Sequence, residues 1–296
     1  MDKPIIAFIG LGQMGTPMAL NLLKAGYIVH GYDKDTKLAE HFSGISHFTW
    51  SATAVDAVLA ASVVVLMLPD SPIVDALLWD GDQAISKILK PGNLLIDMGS
   101  SDPMHSRNNA AKLKALGIGF IDAPVSGGVK RAQAGTLAIM VGGAQDWTEV
   151  ALPVLTALGQ TLTHVGSEGA GHAVKALNNY VSAAGLLAVS EALSSAVKFG
   201  IDPHLVNQVF NASTAKNNTT ENKVEAFMLS AAFNSGFALS LMKKDLETAH
   251  RFMEQVESAS QFSAKCLEIW QAGDQSLGKG ADHTQMYEFV KNQSAD

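Results

Sequence analysis

Cysteine is almost absent from this chain: Cys266 is the only one in 296 residues. That excludes an intramolecular disulfide and any metal site built on cysteines. A reduced, cytoplasmic setting fits such usage. Charge is also sparse, at 17% of residues with a formal net charge of −7, and no Lys/Arg run or basic patch is present. A phosphate backbone would find little to bind, which argues against a nucleic-acid partner. An anionic substrate would need locally placed donors. Long apolar runs are missing as well. The nearest, Tyr180 to Val197, is broken by Ser182, Ser190, Glu191, Ser194 and Ser195, and reads as a buried helix of a soluble protein, so no membrane partner is expected. The first residues are charged and then turn into a glycine loop, unlike a signal peptide. The nine histidines lack H-x-x-x-H or H-E-x-x-H spacing. The carboxylates form no cluster with metal-ligand spacing, so no metal is expected.

What the chain does have is apolar material, at 47% of residues, and a length that suggests two domains. Near the start, Gly10, Gly12 and Gly15 form a G-x-G-x-x-G element. An apolar run, Pro4 to Ile9, precedes it, and a helix-like segment, Gln13 to Ala25, follows. Between a buried strand and a helix these glycines let the backbone come close to a pyrophosphate. The first permits the turn, the second the approach, the third the packing of helix on strand. Leu11, Gln13 and Met14 complete the loop, and the phosphates would rest where helix N–H groups converge. A second strand, Tyr27 to Tyr32, ends at Asp33, roughly 20 residues on, where an acid receives the ribose hydroxyls of NAD. Lys34 and Lys37 keep NADP open.

The first half alternates strands and helices. Ser62–Leu68, Asn93–Asp97, Ile118–Asp122, Leu137–Val141 and Thr161–Val165 read as strands. Thr53–Ala60, Ile73–Leu78, Pro103–Leu116 and Asp146–Leu158 read as helices between them. Continuous apolar strands of this kind belong to a mostly parallel sheet covered on both faces. Ligands of such sheets bind at the carboxyl ends of the strands. After Val165 the pattern changes. A glycine-rich joint, 166–171, leads into a long helix, His172 to about Phe199, and every later segment also reads as helix: Pro203–Asn211, Glu221–Leu229, Leu239–Val256, Gln261–Ala272 and Ala281–Lys291. The expected architecture is α/β: a Rossmann-type doubly wound domain, 1–165, followed by an all-helical domain, 166–296, for substrate and oligomerisation. The apolar character of the helical domain suggests a homodimer or homotetramer.

Four motifs, in order over nearly the whole length, resemble the β-hydroxyacid dehydrogenases, the 3-hydroxyisobutyrate dehydrogenase-like proteins. They are Gly10-Leu11-Gly12-Gln13-Met14-Gly15 with its continuation to Leu22; Asp122-Ala123-Pro124-Val125-Ser126-Gly127-Gly128; Gly169-x-Gly171-x-x-x-Lys175-x-x-x-Asn179; and Lys244-Asp245-Leu246. The resemblance implies an NAD(P)-dependent oxidoreductase. It would move a hydride between the cofactor and a small 3-hydroxy acid or semialdehyde, such as 3-hydroxyisobutyrate, tartronate semialdehyde (2-hydroxy-3-oxopropionate), 4-hydroxybutyrate or sulfolactaldehyde. It assigns the substrate carboxylate to Ser126, Gly127 and Gly128, whose hydroxyl and backbone N–H groups are suitable donors. It assigns general acid/base work to Lys175, whose ammonium can steady a developing alkoxide and deliver the proton. Burial beside the cofactor would lower its pKa toward working pH. Taken alone, a lysine early in an apolar helix more often snorkels at the surface. Asn179 shares the lysine's helix face and would orient it or bind substrate. Lys244 would contact the cofactor, with Asp245 orienting that segment, while Leu68, Pro69 and Ser100 would line the cofactor at strand ends.

Two departures from the family pattern stand out. Gly99 replaces a serine in Asp97-Met98-Gly99-Ser100, so a supporting hydrogen bond is expected to be missing. Ala215 and Lys216 stand where many relatives have glycine and arginine, in a polar loop, 213–220, that either touches the distal end of the substrate or merely connects helices. His172, one turn before Lys175, is a rival acid/base group. A nucleotide-binding module without catalysis is the alternative of another class, and the presence of both Lys175 and Asn179 argues against it.

Overall fold

The computed structural model describes residues 3–293, which divide into two compact units at 175/176. The first unit is built on a sheet. Its strands are β1 (Ile5–Ile9), β2 (Ile28–Tyr32), β3 (Phe48–Trp50), β4 (Val63–Leu66), β5 (Leu94–Asp97), β6 (Gly119–Asp122), β7 (Val125–Ser126), β8 (Leu137–Gly143) and β9 (Gly159–Gly166). The helices between them are α1 (Gly15–Lys24), α2 (Ala54–Val58), α3 (Ser71–Trp79), α4 (Pro103–Ala115), α5 (Gly128–Ala134) and α6 (Gln145–Thr156).

Six strands run parallel in the order β3-β2-β1-β4-β5-β6, the doubly wound order whose direction of travel reverses between β1 and β4. The strands are apolar throughout because both faces are covered, and alternation decides which core each side chain enters. From β1, Ile6 and Phe8 join one core with Met18 and Leu22 of α1 and Val154 and Leu155 of α6. Ala7 and Ile9 join the opposite core with Ala57 of α2, Leu78 of α3 and Leu113 of α4. β4 splits the same way, Val63 and Val65 against Val64 and Leu66. Past β6 the sheet departs from parallel. β8 pairs antiparallel with β6 and β7, and β9 then pairs parallel with β8 across two register shifts. The sequence pattern did not announce β3 or β7. They have three and two residues, too few for an alternation to register.

The second unit is helical: most of α7 (Ala170–Phe199), then α8 (Pro203–Ala212), α9 (Asn218–Asn222), α10 (Leu239–Gln255), α11 (Gln261–Leu277) and α12 (Met286–Gln293). α7 is long and apolar enough to cross a membrane by length and composition alone. Here it serves as a core helix: Ala183, Leu186 and Leu187 pack with Leu246 of α10 and Trp270 of α11, and Val189 and Leu193 form a second cluster with Val224 and Met228. One segment differs from expectation. Glu221 to Leu229 is not one α-helix, because α9 stops at Asn222 and Val224–Leu229 is wound as a π-helix. Two residues with left-handed backbone follow, Ala231 at φ 56° and Phe233 at φ 42°.

Candidate active site

The carboxyl ends of β1, β2, β4 and β5 bring the expected cofactor residues of the first unit together, while Lys244 belongs to the second unit. At the glycine loop each position has its own requirement for a missing side chain. A Cβ on Gly10 would run into the Met67 carbonyl at the end of β4, and one on Gly15 into the Gly10 carbonyl beneath α1. A Cβ on Gly12 would meet nothing within 4 Å. Gly10 and Gly15 are therefore closed by protein, while the backbone at Gly12 faces open space. α1 begins at Gly15 with no side-chain cap and no acid in its first turn. No side chain of the loop competes for this helix start, and the Gly12 backbone is open beside it, so the loop fits the pyrophosphate of a dinucleotide. Thr16 anchors the turn through a hydrogen bond from its hydroxyl to the Leu11 carbonyl.

Asp33 is placed as expected, just beyond β2, and it also holds the loop. Its Oδ2 accepts the Leu11 N–H at 2.7 Å and its Oδ1 the Asp35 N–H at 2.9 Å. Leu68 lies against this loop, its side chain beside Gly10. Pro69 follows it beyond the end of β4, and Ser100 lies just past the end of β5. The Gly99 departure receives a steric reason. A Cβ there would run into the Leu68 carbonyl, and the Gly99 N–H donates to Asp97 Oδ1 at 3.0 Å. The hydroxyl support expected to be missing comes instead from Ser101, whose Oγ donates to Asp97 Oδ2 at 2.7 Å.

Ser126 sits in β7 opposite Ala138, half-buried. Gly127 and Gly128 follow with φ of 133° and 66°, a backbone path that favours glycine, and a Cβ on Gly128 would meet nothing within 4 Å. Bare backbone is thus presented next to the serine.

α7 starts against the same strand ends, and here a carboxylate the motif analysis left without a role proves central. Asp122, the last residue of β6, is fully buried. Its Oδ1 accepts the Gly169 N–H at 2.7 Å and its Oδ2 the His172 N–H at 2.8 Å. The opening of α7 is capped by the sheet rather than by its own sequence. A Cβ on Gly171 would meet the Asp122 carbonyl at 2.8 Å, so only glycine admits this approach. Burial pushes the Asp122 carboxyl up from its ordinary value, while the charge of His172 and the two backbone donors pull it back. His172, the rival acid/base group, is buried with its Nδ1 2.7 Å from Ser106 Oγ and 3.7 Å from Asp122 Oδ2. Its Nε2 lies 3.9 Å from Asp97 Oδ2. It is packed behind the strand ends rather than offered to a ligand. Lys175, one turn on, is half-buried.

In the helical unit, Asn179 is buried and donates its Nδ2 to Asp245 Oδ2 at 2.6 Å. The other Asp245 oxygen pairs with the Lys244 ammonium at 3.2 Å. Asp245 is thus a buried bridge that fixes both expected site residues. Asn178 donates to the neighbouring Asn179 Oδ1 at 3.1 Å and supports it. Lys243 is committed to Asp274 at 2.8 Å, and that bond pushes its pKa up. In the 213–220 loop, Lys216 pairs with Glu221 at 2.8 Å with both side chains about half exposed to solvent. Asn217 and Thr220 form a reciprocal cap for α9. This is the arrangement of a helix connector, and such an exposed pair contributes at most about 1 kcal/mol. Among the described residues no cluster of three or more His, Cys, Asp or Glu is arranged to hold a metal.

Residues 5–166 match the family model of the NAD binding domain of 6-phosphogluconate dehydrogenase, and residues 169–290 the model described as NAD-binding of NADP-dependent 3-hydroxyisobutyrate dehydrogenase. The chain belongs to the β-hydroxyacid dehydrogenase family. It is 35% identical to 2-(hydroxymethyl)glutarate dehydrogenase of Eubacterium barkeri, over 95% of this chain and 93% of that one. It is 34% identical to 2-hydroxy-3-oxopropionate reductase of Escherichia coli, over 97% of each. A solved 3-hydroxyisobutyrate dehydrogenase of Mycobacterium tuberculosis, described with L-serine, superposes with a TM-score of 0.90 at 30% identity, covering 98% of this chain and 99% of that one. As a member of this family the chain is an oxidoreductase that uses NAD(P).

Asp122→Asn should test the sheet-to-helix cap. One carboxylate oxygen becomes an NH2 group facing an N–H donor, so a loss of about 1.5–3 kcal/mol is expected from the charged hydrogen bonds. Chemical denaturation measures it, and turnover should fall in the fraction that remains folded.

Proposed function

We propose that the enzyme interconverts a small 3-hydroxy acid and its semialdehyde, with Lys175 as the general acid/base. The observation that carries this reading is the anchoring of α7: Asp122 fixes its first turn one turn before Lys175. Bound NAD(P) supplies or accepts the hydride. Ser126 and the backbone N–H groups of Gly127 and Gly128 hold the substrate carboxylate. In reduction, the Lys175 ammonium steadies negative charge on the carbonyl oxygen and gives up a proton to it. In oxidation, the neutral amine takes the hydroxyl proton back. Asn179, held by Asp245 and Asn178, would orient the lysine or bind the substrate oxygen, and Lys244 would contact the cofactor. The names of the relatives support a compact anionic substrate: 2-hydroxy-3-oxopropionate, 2-(hydroxymethyl)glutarate and 3-hydroxyisobutyrate share a carboxylate a few bonds from the reacting carbon.

A panel of small hydroxy acids and semialdehydes, each with NAD and NADP, tests the reading. Lys175→Ala should lower kcat on the best of them by about a hundredfold or more while cofactor affinity stays within twofold. Retained turnover would discard the lysine mechanism, and cofactor binding without turnover of any acid by the parent enzyme would favour a binding module.

We further infer a preference for NAD, since Asp33 stands where a 2′-phosphate would be repelled. Asp33→Ala should weaken NAD more than NADP in equilibrium titration. Because Asp33 also binds the Leu11 N–H, some loss with both cofactors is expected, and an unchanged ratio would sink the ribose role.

The enzyme is proposed to work in the cytoplasm as a homodimer or homotetramer. In the helical unit Phe199 is 84% exposed, and Leu205 and Val209, one turn apart on α8, are 55% and 60% exposed. An apolar face of this kind is commonly covered by a partner. Light scattering at micromolar concentration should give a multiple of the 31.2 kDa chain. A monomer would refute the assembly.

A further inference from the structure

Lys223 differs from four other lysines of the helical unit. Lys216, Lys243, Lys244 and Lys265 each pair with a carboxylate. The ammonium of Lys223 donates instead to a neutral hydroxyl, Ser182 Oγ, at 3.2 Å. Burial pushes its pKa down to about 8, and the field of Asp282 only partly restores it. Asp282 is occupied elsewhere. Its oxygens accept the Ser235 hydroxyl at 2.8 Å, the Gly236 N–H at 3.0 Å, the Thr284 N–H at 3.0 Å and the Thr284 hydroxyl at 2.6 Å. His283 is the other titratable group that feels the lysine, and burial together with that charge pushes its pKa down. Among the described residues no carboxylate is bonded to this half-buried cation, an arrangement that an arriving anion would relieve.

Two further observations bear on its position. Ser182 follows Asn179 by three residues and Lys175 by seven, so all three share one face of α7. The ammonium lies beside the next turn along that face from Asn179. Lys223 also immediately precedes the π-helix Val224–Leu229, and left-handed Ala231 and Phe233 follow. Wound segments of this kind gather at functional sites, and non-glycine residues in such backbone cost about 1–3 kcal/mol each.

We propose that Lys223 is a specificity-determining residue: its ammonium, beside Ser182 on the α7 face that carries Asn179, receives a second carboxylate at the far end of an extended hydroxy diacid. This rests on the hydroxy-acid reading above and adds the substrate class. The group bonded at Lys223 takes no part in hydride or proton transfer. It favours diacids over monoacids by adding one charged hydrogen bond.

The test compares 2-(hydroxymethyl)glutarate, a hydroxy diacid, with 3-hydroxyisobutyrate, a monoacid, on the full-length enzyme with saturating NAD(P). Lys223→Met should raise KM for the diacid about tenfold or more, the weight of a charged hydrogen bond, with kcat little changed. The monoacid should stay within twofold. Lys223→Arg should recover part of the diacid affinity. The advantage of the parent enzyme for the diacid should also shrink above pH 8, where the ammonium is lost. An equal loss on both acids would make Lys223 a structural tether and overturn the proposal, as would no loss on either. If Lys223→Met does not fold, Lys223→Gln is read by the same criteria. Should the parent enzyme turn over neither of these two acids, calorimetry with glutarate decides Lys223: tighter binding to the parent than to the variant supports it, and equal binding overturns it, while the hydroxy-acid reading fails separately if no member of the panel is turned over.

Discussion

The carboxylate of Asp122 does what no residue of α7 does for itself. A helix leaves its leading N–H groups without intrahelical partners, and several helices here meet them with a side chain from their own N-cap, as Asp70, Asp102 and Asp202 do. α7 opens instead on glycines and takes its acceptor from the end of β6. The contact is close because nothing stands between: Gly142 and Gly171 both bring bare backbone to the same carboxylate. His172 and Ser106 complete the packing around it. The register of the helix is therefore set by the sheet, and Lys175 inherits its position from that register. Desolvation works against the charge that makes the cap strong. The backbone donors and the neighbouring imidazole offset only part of that cost, and the carboxyl stays raised from its ordinary value.

The parts of the molecule written as runs or patterns were legible in the sequence. The apolar strands, the glycine loop, Asp33 and the switch from alternating elements to helices all follow from periodicity and turn chemistry. Contacts between residues distant in sequence were not. Asp122 is visible in its motif, but nothing local tells that its partners lie 47 and 50 residues away. Asp245 likewise reaches back to Asn179 over 66 residues. The Gly99 departure looks like a lost hydrogen bond until the Leu68 carbonyl is seen against it. The π-helix was hidden for another reason: Val224–Leu229 has ordinary helix formers, and the choice between windings is made by packing rather than propensity.

Lys216 and Lys223 show how burial separates two lysines of one region. The first answers an exposed glutamate in a high dielectric, where screening leaves the pair little influence. The second keeps its charge in a poorer solvent, beside a hydroxyl that neutralises nothing. It is the second on which the proposed carboxylate contact rests. The loop drew attention in sequence because it differs from relatives, whereas the residue with the unusual surroundings lies three positions beyond it.

α7 is 30 residues long, and the positions that matter on it form a short series: His172, Lys175, Asn179 and Ser182. Each residue added to or removed from a helix turns everything beyond it by about 100°. A single deletion between His172 and Lys175 would leave the Asp122 cap intact and still turn the face shared by the lysine, Asn179 and Ser182 by about 100° relative to that cap. Substitutions on the outer surface of this stretch should be tolerated, while changes of length should not. Among the descendants of this chain, the interval from the joint to Ser182 is expected to vary in letters and stay fixed in count.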